Sequence, residues 1–271
     1  MQSDKTTPQP QPDLALRDLI PRPLDWKVVW IFIICALTLT ASNYFGGIGS
    51  VWSTLEKLGL LDASKQFKQF CRTMTNESYG KLWGLHYWVG ANTILYFIIP
   101  ALIVKLAFRE RLSDYGLKFT GWYRKLWVYA GAFAVVLPCV MLVRGLPAFQ
   151  RMYPFYKHAH ESWGDFLGWE CAYILQFFAL EFFFRGFLLH GLKHRFGYYS
   201  VFIMTVPYCM IHFGKPLPET IGAIIAGIFL GTLSLWTRSI WLGVLIHVTV
   251  AVAMDLAALS YRDQLGQLFG M

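Results

Sequence analysis

A chain of 271 residues that is 56% hydrophobic, 17% aromatic and only 15% charged carries too much apolar surface for an ordinary soluble domain. It reads as a multi-pass membrane protein. The net charge of +8 does not argue for nucleic acid, because the lysines and arginines lie in short clusters between apolar stretches, where the positive-inside rule expects them. Cys35, Cys71, Cys139, Cys171 and Cys209 are scattered without a CxxC pair or metal-ligand spacing, so no disulfide framework, metal centre or cofactor is expected.

In chain order, residues 1–25 are polar and bear prolines and glutamines, which reads as a disordered tail before an uncleaved first span. Segments apolar enough to cross a bilayer follow at about 27–46, 84–107, 126–146, 164–192, 198–213, 219–237 and 240–259, against a requirement of roughly 20 residues each. The expected architecture is an all-α polytopic transmembrane bundle of about seven spans, the fifth of them short. At about 50–80, Val51, Leu55, Leu58 and Leu61 recur among Lys57, Lys65, Lys68 and Arg72, a pattern that suits either an amphipathic helix on the membrane surface or a soluble loop helix. The chain thus divides into N-terminal membrane helices over 26–150, a second block over 151–262 and a tail over 263–271. Basic residues of the tail (Lys5, Arg17, Arg22, Lys27) and of the second loop (Lys105, Arg109, Arg111, Lys118, Arg124, Lys125) favour a cytoplasmic N-terminus in an integral membrane protein. In the sixth span Gly222, Ala226, Gly227 and Gly231 give small-xxx-small spacings that permit close helix packing.

The ionisable residues left at bilayer depth are Glu170, Glu181, Arg185, His212, His247 and Asp255, with His190 nearer a boundary. A charge at that depth costs roughly 3 kcal/mol on insertion scales, so these positions are candidates for function. Glu181 and Arg185 stand four residues apart with the acid first, the order that lets them meet on one helix face and neutralise each other. Counting about 1.5 Å per residue from the expected inside ends, Arg185 and His247 lie ~10 Å deep, Glu181 ~17 Å and His212 ~22 Å, close enough to share one pocket. A carboxylate with histidines in a partly dry pocket suits hydrolysis, the acid taking a proton from water and an imidazole donating to the oxyanion. The pair also has a plainer reading as a helix staple. Glu170 is three turns from Glu181, too far for a dyad, and Asp255 either orients a neighbouring helix or faces a polar crevice. His158, His160 and Glu161 stand in a loop without further ligands.

Glu181-Phe-Phe-Phe-Arg185-Gly186-Phe187-Leu188, then Tyr208-Cys-Met-Ile-His212, then His247 resemble the three motifs of the CPBP family, the CAAX-processing and bacteriocin-processing (Abi, glutamic-type) intramembrane proteases. The resemblance covers roughly residues 160–260. It implies cleavage of a membrane-anchored or lipidated peptide without a cofactor, with membrane lipid as the surroundings, in a bacterial cytoplasmic membrane. The family pattern is Glu-Glu-x-x-x-Arg, an aromatic-x-x-x-His and His-x-x-x-Asn. Here Leu180 stands at the first glutamate and Ala251 at the amide of the third motif. The implied roles place Glu181 and His212 on the water, His247 on the oxyanion and Arg185 beside the carboxylate. Tyr208 then orients His212, and Asp255 supports the site. For Glu181 to replace its neighbour, the helix must rotate by roughly 100° or widen locally into a π-bulge. The competing readings are a catalytically degenerate relative that binds a membrane peptide or supports bacteriocin immunity, and a transporter. The motifs of the zinc, rhomboid and presenilin intramembrane proteases are absent.

Overall fold

The structure, a computed structural model, describes residues 23–75 and 80–268, so nearly all of the expected N-terminal tail lies outside the described residues. Among those residues the chain forms helices and no strands. Helix α1 (Trp26–Phe45) starts where the Asp25 carboxylate accepts from the Val28 N–H at 3.2 Å. The expected surface helix is two helices, α2 (Ile48–Lys57) and α3 (Leu61–Thr75), broken at Gly59 in the left-handed region. Lys68 of α3 meets Glu56 of α2 at 2.5 Å across the turn.

Six helices are long and apolar enough to cross a membrane: α1, α4 (Leu82–Ala107), α5 (Trp122–Val143), α7 (Trp163–Phe196), α9 (Leu217–Thr237) and α10 (Trp241–Tyr261). The protein is therefore a multi-pass membrane helix bundle. Short helices α6 (Pro147–Met152) and α11 (Leu265–Leu268) lie in the connections. The expected fifth span is α8 (Tyr199–Met210), whose 12 residues rise only about 18 Å and so cross part of the bilayer core. It packs along α9, where a methyl group at Gly227 or Gly231 would press on Thr205, Tyr208, Met204 and Val201. Two of the glycines marked by their spacing thus set this close approach, while Gly222 faces open space.

Helix α7 organises the bundle. It has the lowest mean hydropathy of the six spans and is the most buried, so its polar residues face protein and not lipid. Phe182, Phe183, Phe184 and Phe187 are fully buried, packing on Ile31 and Cys35 of α1, Tyr96 of α4, Met204 and Tyr208 of α8, and Ile240 and Val244 at α10. Helix α5 is the opposite case, largely exposed along its apolar length, as a lipid-facing helix must be. At one end of the bundle Lys27 meets Glu110 at 2.7 Å, Tyr115 donates to Glu110 at 2.5 Å, and His194 pairs with Asp25 at 2.8 Å, tying α1, the α4–α5 loop and α7 together. Partial burial pushes the Glu110 carboxyl up, but its hydrogen bonds from Lys27 and Tyr115 outweigh that and hold it below the usual carboxylate range.

Candidate active site

Glu181 ends the regular α-helical part of α7, and the ladder then widens into π register from Phe182 to His190. Leu180 and Glu181 both lie before the widening, in regular α-helical register. The Glu181 carboxylate has no exposed surface. It lies 3.0 Å from Arg185 Nη1 and 2.6 Å from His247 Nδ1, both at ion-pair distance, although neither contact has the alignment of a strong hydrogen bond. Gly243, one turn before His247 on α10, makes room for it. A methyl there would collide with Glu181 Oε2.

From this buried centre the polar contacts run outward through α8. His247 Nε2 lies 2.8 Å from the Tyr208 hydroxyl, and the Arg185 guanidinium sits 4.0 Å from the centre of the Tyr208 ring. His212 Nδ1 is 2.8 Å from the Tyr208 carbonyl, and the two rings meet edge to face at 4.8 Å. Because a carbonyl only accepts, Nδ1 of His212 carries the proton and Nε2 keeps the lone pair. The loop that follows α8 is held by Thr220, whose hydroxyl donates to the His212 carbonyl at 2.9 Å. Glu181, Arg185, His247, Tyr208 and His212 are thus one contiguous set of contacts, with Glu181 linked to His212 through His247 and Tyr208.

A wall of aromatic rings borders the set on the α7 side. Phe155, Trp169, Tyr173, Phe177 and His247 stack in sequence at 5.4, 4.6, 4.6 and 5.1 Å between centroids, the last pair nearly parallel at 17°. Asp255 anchors this wall and not the histidines: it is fully buried and accepts from the Phe155 N–H and from Trp169 Nε1, each at 2.9 Å. These two contacts tie α10 to α7 and to the loop before it. Glu170 is buried near Asp255 with both oxygens unpartnered. His190 stands apart, bridging Ser234 of α9 and Lys193 at 3.0 Å each. His158 and Glu161 pair with each other at 2.5 Å in the loop.

Four neighbours escaped the sequence reading. Gly243 carries no chemical signal, since its role is only the space that it leaves. Tyr153, Lys215 and Glu219 form a second polar group beside the His212 loop: Tyr153 donates to Glu219 Oε1 at 2.9 Å, and Lys215 lies 3.3 Å from the same oxygen. Burial pushes the Tyr153 hydroxyl well above its usual pKa, so it stays a donor. The i,i+4 spacing of Lys215 and Glu219 was visible, but at the start of an apolar stretch it reads as the ordinary polar end of a span.

A membrane bundle with a buried acid–base pair joined to two histidines defines an intramembrane protein whose ionisable groups are gathered at one site. Residues 162–253 match the family model described as Type II CAAX prenyl endopeptidase Rce1-like. The match contains all five residues of the contact chain and both ends of the helix pair that carries His212, and it agrees with the resemblance read from the motifs. That segment, about a third of the chain, is thus similar to a CAAX-type intramembrane protease family. No curated protein and no solved structure matches the chain.

Proposed function

We propose that the protein is an intramembrane endopeptidase that hydrolyses a peptide bond of a lipidated, membrane-anchored substrate, with His212 as the proton acceptor. The observation that carries this reading is the hydrogen bond from His212 Nδ1 to the Tyr208 carbonyl, which leaves Nε2 as a base beside a ring system built to orient it. Water gives a proton to His212 Nε2, and the hydroxide attacks the scissile carbonyl carbon. The developing oxyanion takes a hydrogen bond from His247 Nε2 in exchange for the Tyr208 hydroxyl, which stands 2.8 Å from that nitrogen, and the Glu181 carboxylate at 2.6 Å stabilises the imidazolium. The protonated His212 then passes its proton to the leaving amine.

Glu181 therefore works behind His247 and does not hold the water, because its carboxylate is sealed from solvent while His247 keeps 16% of its side chain exposed. Arg185 offsets the charge of Glu181 and packs on Tyr208, fixing both partners of His247. The family named by the match acts on prenylated CAAX tails, and a prenylated peptide is the first substrate to test. The basic loops set the N-terminus on the cytoplasmic side in this reading.

The test is cleavage of prenylated and unprenylated tail peptides by the purified protein in lipid vesicles. His212→Ala is expected to abolish product formation, and Glu181→Gln to slow it without changing the cut site. The degenerate-binder reading, which Leu180 and Ala251 favour, is supported instead by saturable peptide binding with no product.

A further inference from the structure

The reaction proposed above needs a second group on the water, since a lone imidazole is a modest base, and the position where the motif carries its first glutamate is Leu180. The region around His212 contains one carboxylate that the mechanism has not used. Glu219 stands in the first turn of α9, directly before Thr220, the residue that holds the His212 carbonyl. The turn between them is short and tied at several points. The Lys215 N–H donates to the His212 carbonyl at 3.1 Å, and the Glu219 N–H donates to the Pro216 carbonyl at 2.9 Å.

The side chain is held in place on one oxygen only. Oε1 accepts from Tyr153 and lies against Lys215, whereas Oε2 is buried and has no partner within the protein. A buried carboxylate oxygen without a donor is unfavourable by about 1–3 kcal/mol, and such groups in native structures usually await a water or a ligand. The residue on each side of the turn, Lys215 through its N–H and Thr220 through its hydroxyl, bonds the His212 carbonyl, which holds the first turn of α9 against His212. The carboxylate is also placed at a helix N-terminus, where the helix dipole favours a negative charge. The Lys215 and Glu219 side chains keep 22% and 23% of their surface exposed, more than Glu181, although Oε2 itself is buried.

We infer that Glu219 is the acid that shares the attacking water with His212, supplied from α9 in place of the glutamate missing at Leu180. In the step, one water proton goes to His212 Nε2 while the other is held by Glu219 Oε2, and the hydroxide forms its C–O bond to the scissile carbonyl. Collapse of the intermediate breaks the C–N bond, with the leaving amine protonated by His212. Tyr153 and Lys215 are positioning residues that fix Oε1. This assignment rests on the peptidase reading and adds a residue that no motif marks.

The experiment measures kcat and KM of the full-length protein in vesicles on a quenched-fluorescent prenylated peptide. Glu219→Gln, which keeps the shape and the Tyr153 contact, is expected to lower kcat at least 100-fold with KM within threefold. Restoring an acid at the motif position in Leu180→Glu/Glu219→Gln is expected to recover at least tenfold of that loss. Activity of Glu219→Gln within threefold of the unmodified protein overturns the assignment. So does a loss that Leu180→Glu does not rescue although Leu180→Glu alone folds and cuts. If the unmodified protein cuts no peptide while binding it, the peptidase reading itself falls and the assignment falls with it.

Discussion

Glu181 Oε1 lies 2.6 Å from His247 Nδ1, and this contact places the acid of the first motif behind the histidine of the third, away from the histidine of the second. The arrangement follows that of an acid orienting an imidazole. In the proposed mechanism the carboxylate stabilises the His247 imidazolium, and the opposite nitrogen, now 2.8 Å from the Tyr208 hydroxyl, turns to the oxyanion.

That relationship separates two variants that the motif alone would treat alike. His212→Ala removes the proposed proton acceptor and is expected to reduce kcat to background. Glu181→Gln leaves His247 in place with a weaker partner and is expected to lower kcat about 10–100-fold, the range of an orienting second partner. Equal and complete losses in both, measured as initial rates on a prenylated peptide, would place Glu181 on the water after all.

Gly243→Ala tests the same contact from the opposite helix. The added methyl collides with Glu181 Oε2, and the carboxylate has to leave its place against His247. Overpacking of this kind typically destabilises by about 1–3 kcal/mol. The variant is expected to fold with a lowered Tm and to lose activity as Glu181→Gln does, and normal kinetics would show that the carboxylate position is unimportant.

Asp255 is expected to matter for stability more than for chemistry. Asp255→Ala leaves the Phe155 N–H and Trp169 Nε1–H without acceptors in a buried place, at about 1–3 kcal/mol for each donor. Asp255→Asn keeps one acceptor and is expected to fall between the two in thermal unfolding. A large loss of kcat in Asp255→Asn with unchanged Tm would move Asp255 into the reacting set.

The clasp at Glu110 has a defined pH window. Its carboxyl is held below the usual range in the folded protein, so its contribution is complete above the unfolded value of about 4.3 and is lost as pH falls through the lower folded value. The Tm difference between the unmodified protein and Glu110→Gln is expected to be constant near neutrality and to vanish in strong acid. A difference that grows as pH falls would reverse the sign of the argument.

The spans were legible because a helix in lipid must be about 20 apolar residues long, and the six long ones lie within a few residues of their expected places. Glu181, Arg185, Tyr208, His212 and His247 were legible because ionisable or hydroxylated residues at depth are few, and order along the chain was enough to group them. What stayed hidden was direction. Nothing in Glu181-Phe-Phe-Phe-Arg185 says that the carboxylate turns to α10, because that depends on a missing side chain at Gly243 sixty-two residues later. Glu219 was hidden for a different reason: at the start of an apolar stretch an acid is unremarkable until the next residue, Thr220, is seen to bond the His212 carbonyl.

The central claim is that this site hydrolyses a peptide bond with His212 as base. The most direct measurement is mass spectrometry of a prenylated tail peptide incubated with the vesicle-reconstituted protein in ¹⁸O-labelled water. The prediction is a single cut whose new carboxylate carries one ¹⁸O, formed by the unmodified protein and not by His212→Ala. An intact peptide after saturable binding, or labelled product formed equally by His212→Ala, would contradict it.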